Sequence, residues 1–167
     1  MNDRLTRKDI EDMEREIEHR KVVVRKELLE HVKEARAQGD LSENFEYYAA
    51  KKAKNENESR IRFLERTIRT ARIIEDELDG DQAGLNRTVT VKMLDDGTTE
   101  EYRIVTTMRG DSLKGRISIE SPLGKALSGH RAGERVRVEV NKEISYEVEI
   151  LRVEMTAEGG EEEIRRF

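Results

Sequence analysis

Apolar side chains recur at steps of three and four residues through most of the first half of this chain. Between residues 6 and 37 they fall at Ile10, Met13, Ile17, Val24, Leu28, Val32 and Ala35. That spacing predicts one long amphipathic helix, and the Glu, Lys and Arg on its other faces favour the same state. Gly39 breaks the pattern and suits the left-handed residue that ends a helix. A second helix is predicted over 41–78, with its seam at Ala50, Ala53, Asn57, Ile61, Leu64, Ile68, Ala71, Ile74 and Leu78. Two narrow stripes joined by a short turn should pair antiparallel as a hairpin. Roughly 30 residues per arm give a rod of about 45 Å. Ala49, Ala50 and Ala53 let the arms approach closely near the turn, and Asn57 is expected to fix their register at some cost in stability.

The period then changes to two. Thr88-Val89-Thr90-Val91-Lys92-Met93 alternates as a strand, Asp95-Asp96-Gly97-Thr98 is a hairpin turn, and Tyr102-Arg103-Ile104-Val105 returns. Arg116-Ile117-Ser118-Ile119 is a further strand. Ser121-Pro122 starts a short helix as N-cap and first helical residue, with Gly129 ending it. Arg135–Val140 and Tyr146–Ile150 complete a second hairpin. The predicted class is α+β: an N-terminal antiparallel α-helical hairpin over 1–79 with an acidic tip at 39–44, a polar glycine-rich linker at 80–85, and a small antiparallel β-sheet domain with one short helix over 86–154. Residues 155–167 are expected to be a mobile acidic tail.

Composition narrows the function. Of 167 residues, 41% are charged and 35% hydrophobic, which suits a thin hairpin and a small sheet rather than one large core. With no Trp, 4 Tyr and 3 Phe, an aromatic-lined small-molecule pocket is not expected. A net charge of -5 argues against coating nucleic acid through a broad basic face. No cysteine is present, so disulfides and thiolate metal sites are excluded, and 3 scattered His do not suggest a zinc site. No apolar run approaches the ~20 residues that cross a bilayer. The N-terminus is charged from residue 3, unlike a signal peptide, so a cytoplasmic protein without a membrane role is expected.

The chemistry is concentrated at the turn, in Gly39-Asp40-Leu41-Ser42-Glu43-Asn44-Phe45-Glu46-Tyr47. Asp40 and Glu43 have capping-box spacing, and on spacing alone a cap is the simpler reading, with Ser42 as another N-cap. Two carboxylates three apart can also approach one cation. Magnesium is held weakly by one or two carboxylates, with water and phosphate completing its shell. Such a tip would matter only where a partner supplied the remaining ligands.

These residues resemble the bacterial Gre transcript-cleavage factors, in particular their GreA-like members. The matching residues in the hairpin are Glu34-Ala35-Arg36, Gly39-Asp40-Leu41-Ser42-Glu43-Asn44, Glu46-Tyr47 and Ala49-Ala50. A second block, Tyr102-Arg103-Ile104-Val105 with Ile117-Ser118-Ile119-Glu120-Ser121-Pro122-Leu123-Gly124-Lys125-Ala126-Leu127-Ser128-Gly129, matches independently. The resemblance covers about residues 3–154. It implies a coiled coil joined to an FKBP-like domain, acting as a monomer on bacterial RNA polymerase. The coiled coil would enter the secondary channel, where the 3′ end of backtracked nascent RNA lies. Asp40 and Glu43 would help hold a second Mg²⁺ there, shared with polymerase and not tightly bound by the factor alone. The polymerase would then cleave the RNA, so the factor is not itself an enzyme.

Arg36 and Lys51 match basic positions of the family and, with Lys52, are candidates for RNA contact; a solvated helix face is the alternative. Glu120, Ser121 and Pro122 are candidates for docking on polymerase, besides starting a helix. Prolyl isomerase chemistry is not expected, because the sheet domain offers essentially Tyr102 and Tyr146 as aromatics. Phe45, the run Lys51-Lys52-Ala53-Lys54-Asn55 and the acidic tail depart from the family pattern. The rival functions are a channel inhibitor of the same architecture, a coiled-coil adaptor or chaperone-like module with a structural tip, and an autonomous nuclease.

Overall fold

A computed structural model describes residues 3–39, 44–156 and 164–165. The chain divides into two compact units, residues 7–72 and residues 73–166, the second also taking in residues 4–6.

The first unit is a helical hairpin. α1 (Arg7–His19) runs through a π-helical turn (Arg20–Val24) into α2 (Arg25–Ala37) without a break. The return arm is α3 (Phe45–Thr70). Its 26 residues span about 39 Å at 1.5 Å per residue. Every apolar position predicted for the first arm is buried or half-buried, with Met13, Val32 and Ala35 fully so. Ile61 and Leu64 supply the facing side. The pairing is antiparallel, since Glu16 meets Arg60, Arg20 meets Asn57, and Ala35 meets Asn44.

A layer of polar residues crosses this thin seam. The Glu16 carboxylate accepts from Arg20 Nε at 2.7 Å, from Arg60 Nε at 2.8 Å and from Arg60 Nη2 at 3.1 Å. Asn57, 4% exposed, accepts from Arg20 Nη1 at 3.0 Å and lies with Nδ2 3.4 Å from the Arg20 carbonyl. Arg25 adds a bidentate pair to Glu58 at 2.7 and 2.9 Å. The register role expected of Asn57 thus has a defined set of partners.

α3 ends at Thr70, short of the Leu78 predicted. Ala71 turns extended (ψ 144), and β2 (Arg72–Ile73) follows. Ile74 then donates its N–H to the carbonyl of Leu5 in β1 (Arg4–Leu5) at 2.9 Å. Ala71, Ile74 and Leu78 continue the helical step by chance of spacing; Ile74 packs against the core of the second unit instead.

The second unit is a five-stranded sheet in the order β5-β4-β3-β7-β6. β3 (Arg87–Met93), β4 (Thr99–Val105), β6 (Arg135–Glu139) and β7 (Ser145–Met155) pair antiparallel, while β5 (Arg116–Ser118) runs parallel to β4. The sheet is therefore mixed, where an antiparallel one was expected. The connection from β4 to β5 carries two 3-10 turns, Thr107–Arg109 and Ser112–Lys114. α4 (Pro122–Leu127) sits on the core, which includes Val89, Val91, Ile104, Leu127, Val138 and Ile150.

Within residues 80–85, expected as a linker, Ala83 and Leu85 are buried in this core, while Gly80 and Asp81 are exposed. Arg87 holds the segment in place. It is 1% exposed, and its guanidinium donates to Asp76 Oδ2 and to the carbonyls of Leu85, Leu78 and Asp79 at 2.8 to 3.2 Å. Arg131 adds pairs to Asp79 and Asp81. The expected mobile tail lies largely outside the described residues; within it, Arg165 donates its N–H to the Met108 carbonyl at 2.7 Å.

Arg87→Met should destabilise the second unit by about 3 kcal/mol, because it leaves a carboxylate and three carbonyls without their donor; chemical denaturation of the variant checks this. Burial of Glu16 opposes its ionisation, but the hydrogen bonds and charges of Arg60 and Arg20 outweigh that and hold its carboxyl below the ordinary 4.5. A depressed carboxyl contributes stability above its unfolded-state value and loses it on acidification. The hairpin should therefore weaken as pH falls below about 4.5, and Glu16→Gln should flatten that acid limb in melting curves taken across pH.

Candidate functional site at the hairpin turn

Asp40 and Glu43, the two predicted tip acids, lie outside the described residues, as does the capping box proposed for them. What is described is how the flanks are built. α2 closes at Ala37, Gln38 N–H reaches back to the Ala35 carbonyl at 3.3 Å, and Gly39 takes φ +118, a conformation that side-chain-bearing residues rarely adopt. α3 begins at Phe45 with Asn44 as its N-cap. Asn44 Oδ1 accepts from Tyr47 N–H at 3.0 Å, and Asn44 Nδ2 donates to the Ala35 carbonyl at 2.7 Å. One amide side chain thereby caps the second arm and ties it to the first. Both ends of the segment carrying Asp40 and Glu43 are fixed by it.

Sequence reasoning passed over Asn44 because the two neighbouring acids offered a cap of their own. The signal was present: an Asn preceding a helical run is a favoured N-cap.

The flanks are cationic and aromatic. The Arg36 guanidinium lies 5.5 Å from the centre of the Tyr47 ring. Its hydrogen bond, together with the charges of Arg36, Lys51 and Lys54, lowers the Tyr47 hydroxyl below its usual value. Tyr47 and Tyr48 meet edge to face at 5.6 Å. Lys51 and Lys52 are exposed on α3, where Lys52 is 3.9 Å from Glu56. Together with Tyr48, Asn55, Glu56 and Ser59 they line a shallow groove of 470 Å³. Phe45 is 85% exposed. Arg36, Lys51 and Lys52 thus share the tip half of the hairpin. Among the described residues no cluster of three or more His, Asp or Glu is placed to hold a metal ion.

The other candidates, Glu120, Ser121 and Pro122, lie in the second unit between β5 and α4. Ser121 is the N-cap that was expected: its Oγ accepts from Gly124 N–H at 3.1 Å, and Pro122 is exposed at the first helical position. The loop is stiff. Ser121 Oγ donates to the Ser118 carbonyl at 2.6 Å, Glu120 N–H donates to Ser118 Oγ at 3.0 Å, and Ser118 Oγ meets Thr107 Oγ1 at 2.7 Å. A Cβ on Gly124 would fall 2.1 Å from the Ser118 carbonyl oxygen, so only glycine permits this approach. Glu120 is held by an ion pair with Arg4 that spacing along the chain could not reveal.

No helix among the described residues is long and apolar enough to cross a membrane. The family model described as "Transcription elongation factor, N-terminal" matches residues 4–73, and that described as "Transcription elongation factor, GreA/GreB, C-term" matches residues 78–155. The transcription elongation factor GreA of Geobacillus kaustophilus is 45% identical over 136 residues, covering 81% of this chain and 86% of the relative. Those of Bacillus subtilis and Thermotoga neapolitana are each 43% identical over 135 residues with the same coverage. The solved structure of GreA factor homolog 1 of Thermus thermophilus is 25% identical, with TM-score 0.43 over 92% of this chain and 98% of that one. With both units matched and these relatives aligned over four-fifths of its length, the chain belongs to the GreA/GreB family of transcription elongation factors.

Proposed function

We propose that this protein stimulates the cleavage of backtracked nascent RNA by RNA polymerase, with Asp40 and Glu43 as the groups it contributes. Gre factors are accessory to polymerase in transcription elongation and are not themselves enzymes. The finer reading is that the hairpin enters the secondary channel as a monomer and brings its turn to the extruded RNA 3′ end. The observation that carries it is the double role of Asn44, which clamps both flanks of the acidic segment to a slender two-helix arm. A segment so anchored can be delivered into a narrow passage without its flanks fraying.

The donor set fits a shared ion. Two carboxylates are hard oxygen ligands suited to Mg²⁺ but too few to hold it alone. When bound between the two proteins, such an ion would lower the pKa of a water and stabilise the charge that develops on the phosphate. The chain's own residues do the positioning. Arg36 and Lys51, with Lys52 beside them, offer cations to the RNA phosphates on either side of the tip. Tyr47 keeps Arg36 close to α3 rather than free in solvent. Glu120, Ser121 and Pro122 present a stiff loop for docking on polymerase, and the protein works in the cytoplasm alongside that enzyme.

Asp40→Ala combined with Glu43→Ala should lower stimulated cleavage on a stalled elongation complex on the order of 100-fold, the size of effect seen when a group serving the transition state is removed. Binding to core polymerase, measured in parallel, should survive. Full cleavage by the double variant would overturn the role given to the tip.

A further inference from the structure

The two arms of the hairpin do not have matching repeats. Along α3 the seam runs through Ala53, Asn57, Arg60, Leu64 and Thr67 at alternating steps of four and three, with Ile61 buried beside Arg60. The first arm begins the same way, with Met13, Ile17, Arg20 and Val24. Regular alternation would continue it at Glu27, His31 and Glu34, all of which are exposed. The residues turned inward are instead Leu28, Val32 and Ala35, each one position later. The first arm therefore carries one residue more than its partner's repeat allows. One residue is about 100° of rotation in an α-helix, enough to swing the apolar face of the tip half out of the seam.

The π turn absorbs that residue. Arg25 N–H bonds the Arg20 carbonyl, five residues back rather than four. The Glu16–Arg20–Asn57–Arg60 layer of the seam lies beside this turn. The Arg20 carbonyl that takes the π bond also faces Asn57 Nδ2, while the Arg20 side chain reaches both Asn57 and Glu16. Arg60, 5% exposed, closes the set through Glu16. The Leu, Ile, Val and Ala contacts of the seam would tolerate a slide of one arm along the other. This layer would not, because sliding parts the buried Arg60 guanidinium from the half-buried Glu16 carboxylate. At the far end, the Ala35 carbonyl meets Asn44 Nδ2 only when the stagger is right. π turns inside α-helices are frequent at functional sites.

We propose that the Glu16–Arg20–Asn57–Arg60 layer and the π turn form a register lock whose four side chains are positioning residues for the hairpin turn. This rests on the function proposed above for Asp40 and Glu43. The lock sets the stagger of the arms, the stagger sets how the flanks of the acidic segment meet, and cleavage depends on the result.

The test replaces the layer with leucine at all four positions: Glu16→Leu, Arg20→Leu, Asn57→Leu and Arg60→Leu. An apolar layer should leave the melting temperature unchanged or raised. At saturating factor, maximal stimulated cleavage should fall by at least about tenfold, since small misplacement of reacting groups is costly. The factor concentration giving half the maximal effect should stay within about threefold. The chain has no cysteine, so nitroxide labels on Lys33→Cys and Asn55→Cys report the stagger without polymerase. One narrow distance is expected in the parent and a broadened or second distance in the variant. An unchanged distance overturns the lock, and so does cleavage that falls only in proportion to a lowered melting temperature. Unchanged maximal cleavage with an altered distance overturns its link to function. If the four-leucine chain does not fold, Asn57→Leu alone decides the matter by the same distance measurement. If the parent itself fails to stimulate cleavage, the functional reading fails while the distances still judge the lock.

Discussion

Glu16 is the acceptor on which the hairpin's alignment depends. A seam only one apolar stripe wide fixes which faces meet but only weakly fixes how far one helix has slid along the other. The Glu16 carboxylate takes donors from Arg20 on its own arm and from Arg60 on the opposite one. Exposed pairs such as Lys52–Glu56 contribute little to stability. The Arg60 guanidinium differs in kind: it is buried, and its loss of water is tolerable only where the half-buried Glu16 carboxylate reaches it. The layer need not add stability to be useful, because the penalty falls on every other alignment.

The second unit uses the same physics on irregular backbone. Residues 76–85 follow no repeating ladder, so their carbonyls draw on scattered donors. Arg87 supplies one planar fork of donors to three of those carbonyls and to Asp76. Ser118 does a smaller version of this at the β5–α4 loop, where its carbonyl and hydroxyl serve Ser121, Glu120 and Thr107. Both anchors leave short chain segments rigid without long secondary elements. That rigidity would suit the docking proposed for the β5–α4 loop, since ordering a floppy loop on binding would consume part of the affinity.

Much of this was legible in the residues alone. Period and composition placed both arms, the strands and the Ser121 cap, because each of those depends on local pattern. What the pattern hid was decided by distant contacts. The step of three and four ran past Thr70 because Ile74, half-buried, packs against the core of the second unit. The π turn was written in the consecutive fours from Val24 to Leu28 to Val32, which a helical reading absorbs without notice. Arg87 shared the inward phase of Val89 and Val91, so its burial was implied by alternation yet contradicted by its charge. Residues 80–85 looked like a linker through their Gly and Asp content, while Ala83 and Leu85 carried the opposite message. Of the site, the sequence marked Asp40 and Glu43 and their basic flanks. Asn44, which ties those flanks together, was obscured by its acidic neighbours.

The electrostatics of the tip half explain why so spare a site suffices. The chain is acidic overall, with a net charge of -5, so it gains nothing from nucleic acid at large. Near the turn Arg36, Lys51, Lys52 and Lys54 gather cations beside the start of α3, interleaved with Glu34, Asp40, Glu43 and Glu46. Such a patch attracts phosphate over about one Debye length, ~8 Å at physiological salt, and is screened beyond it. Under the function proposed above, it would favour RNA already brought close by the fit of the arm to its surroundings. Shape would supply the approach, cations would hold the substrate, and two carboxylates would complete a centre whose other ligands belong to the partner. Each contribution would be too weak to act alone, as suits an activity confined to backtracked polymerase.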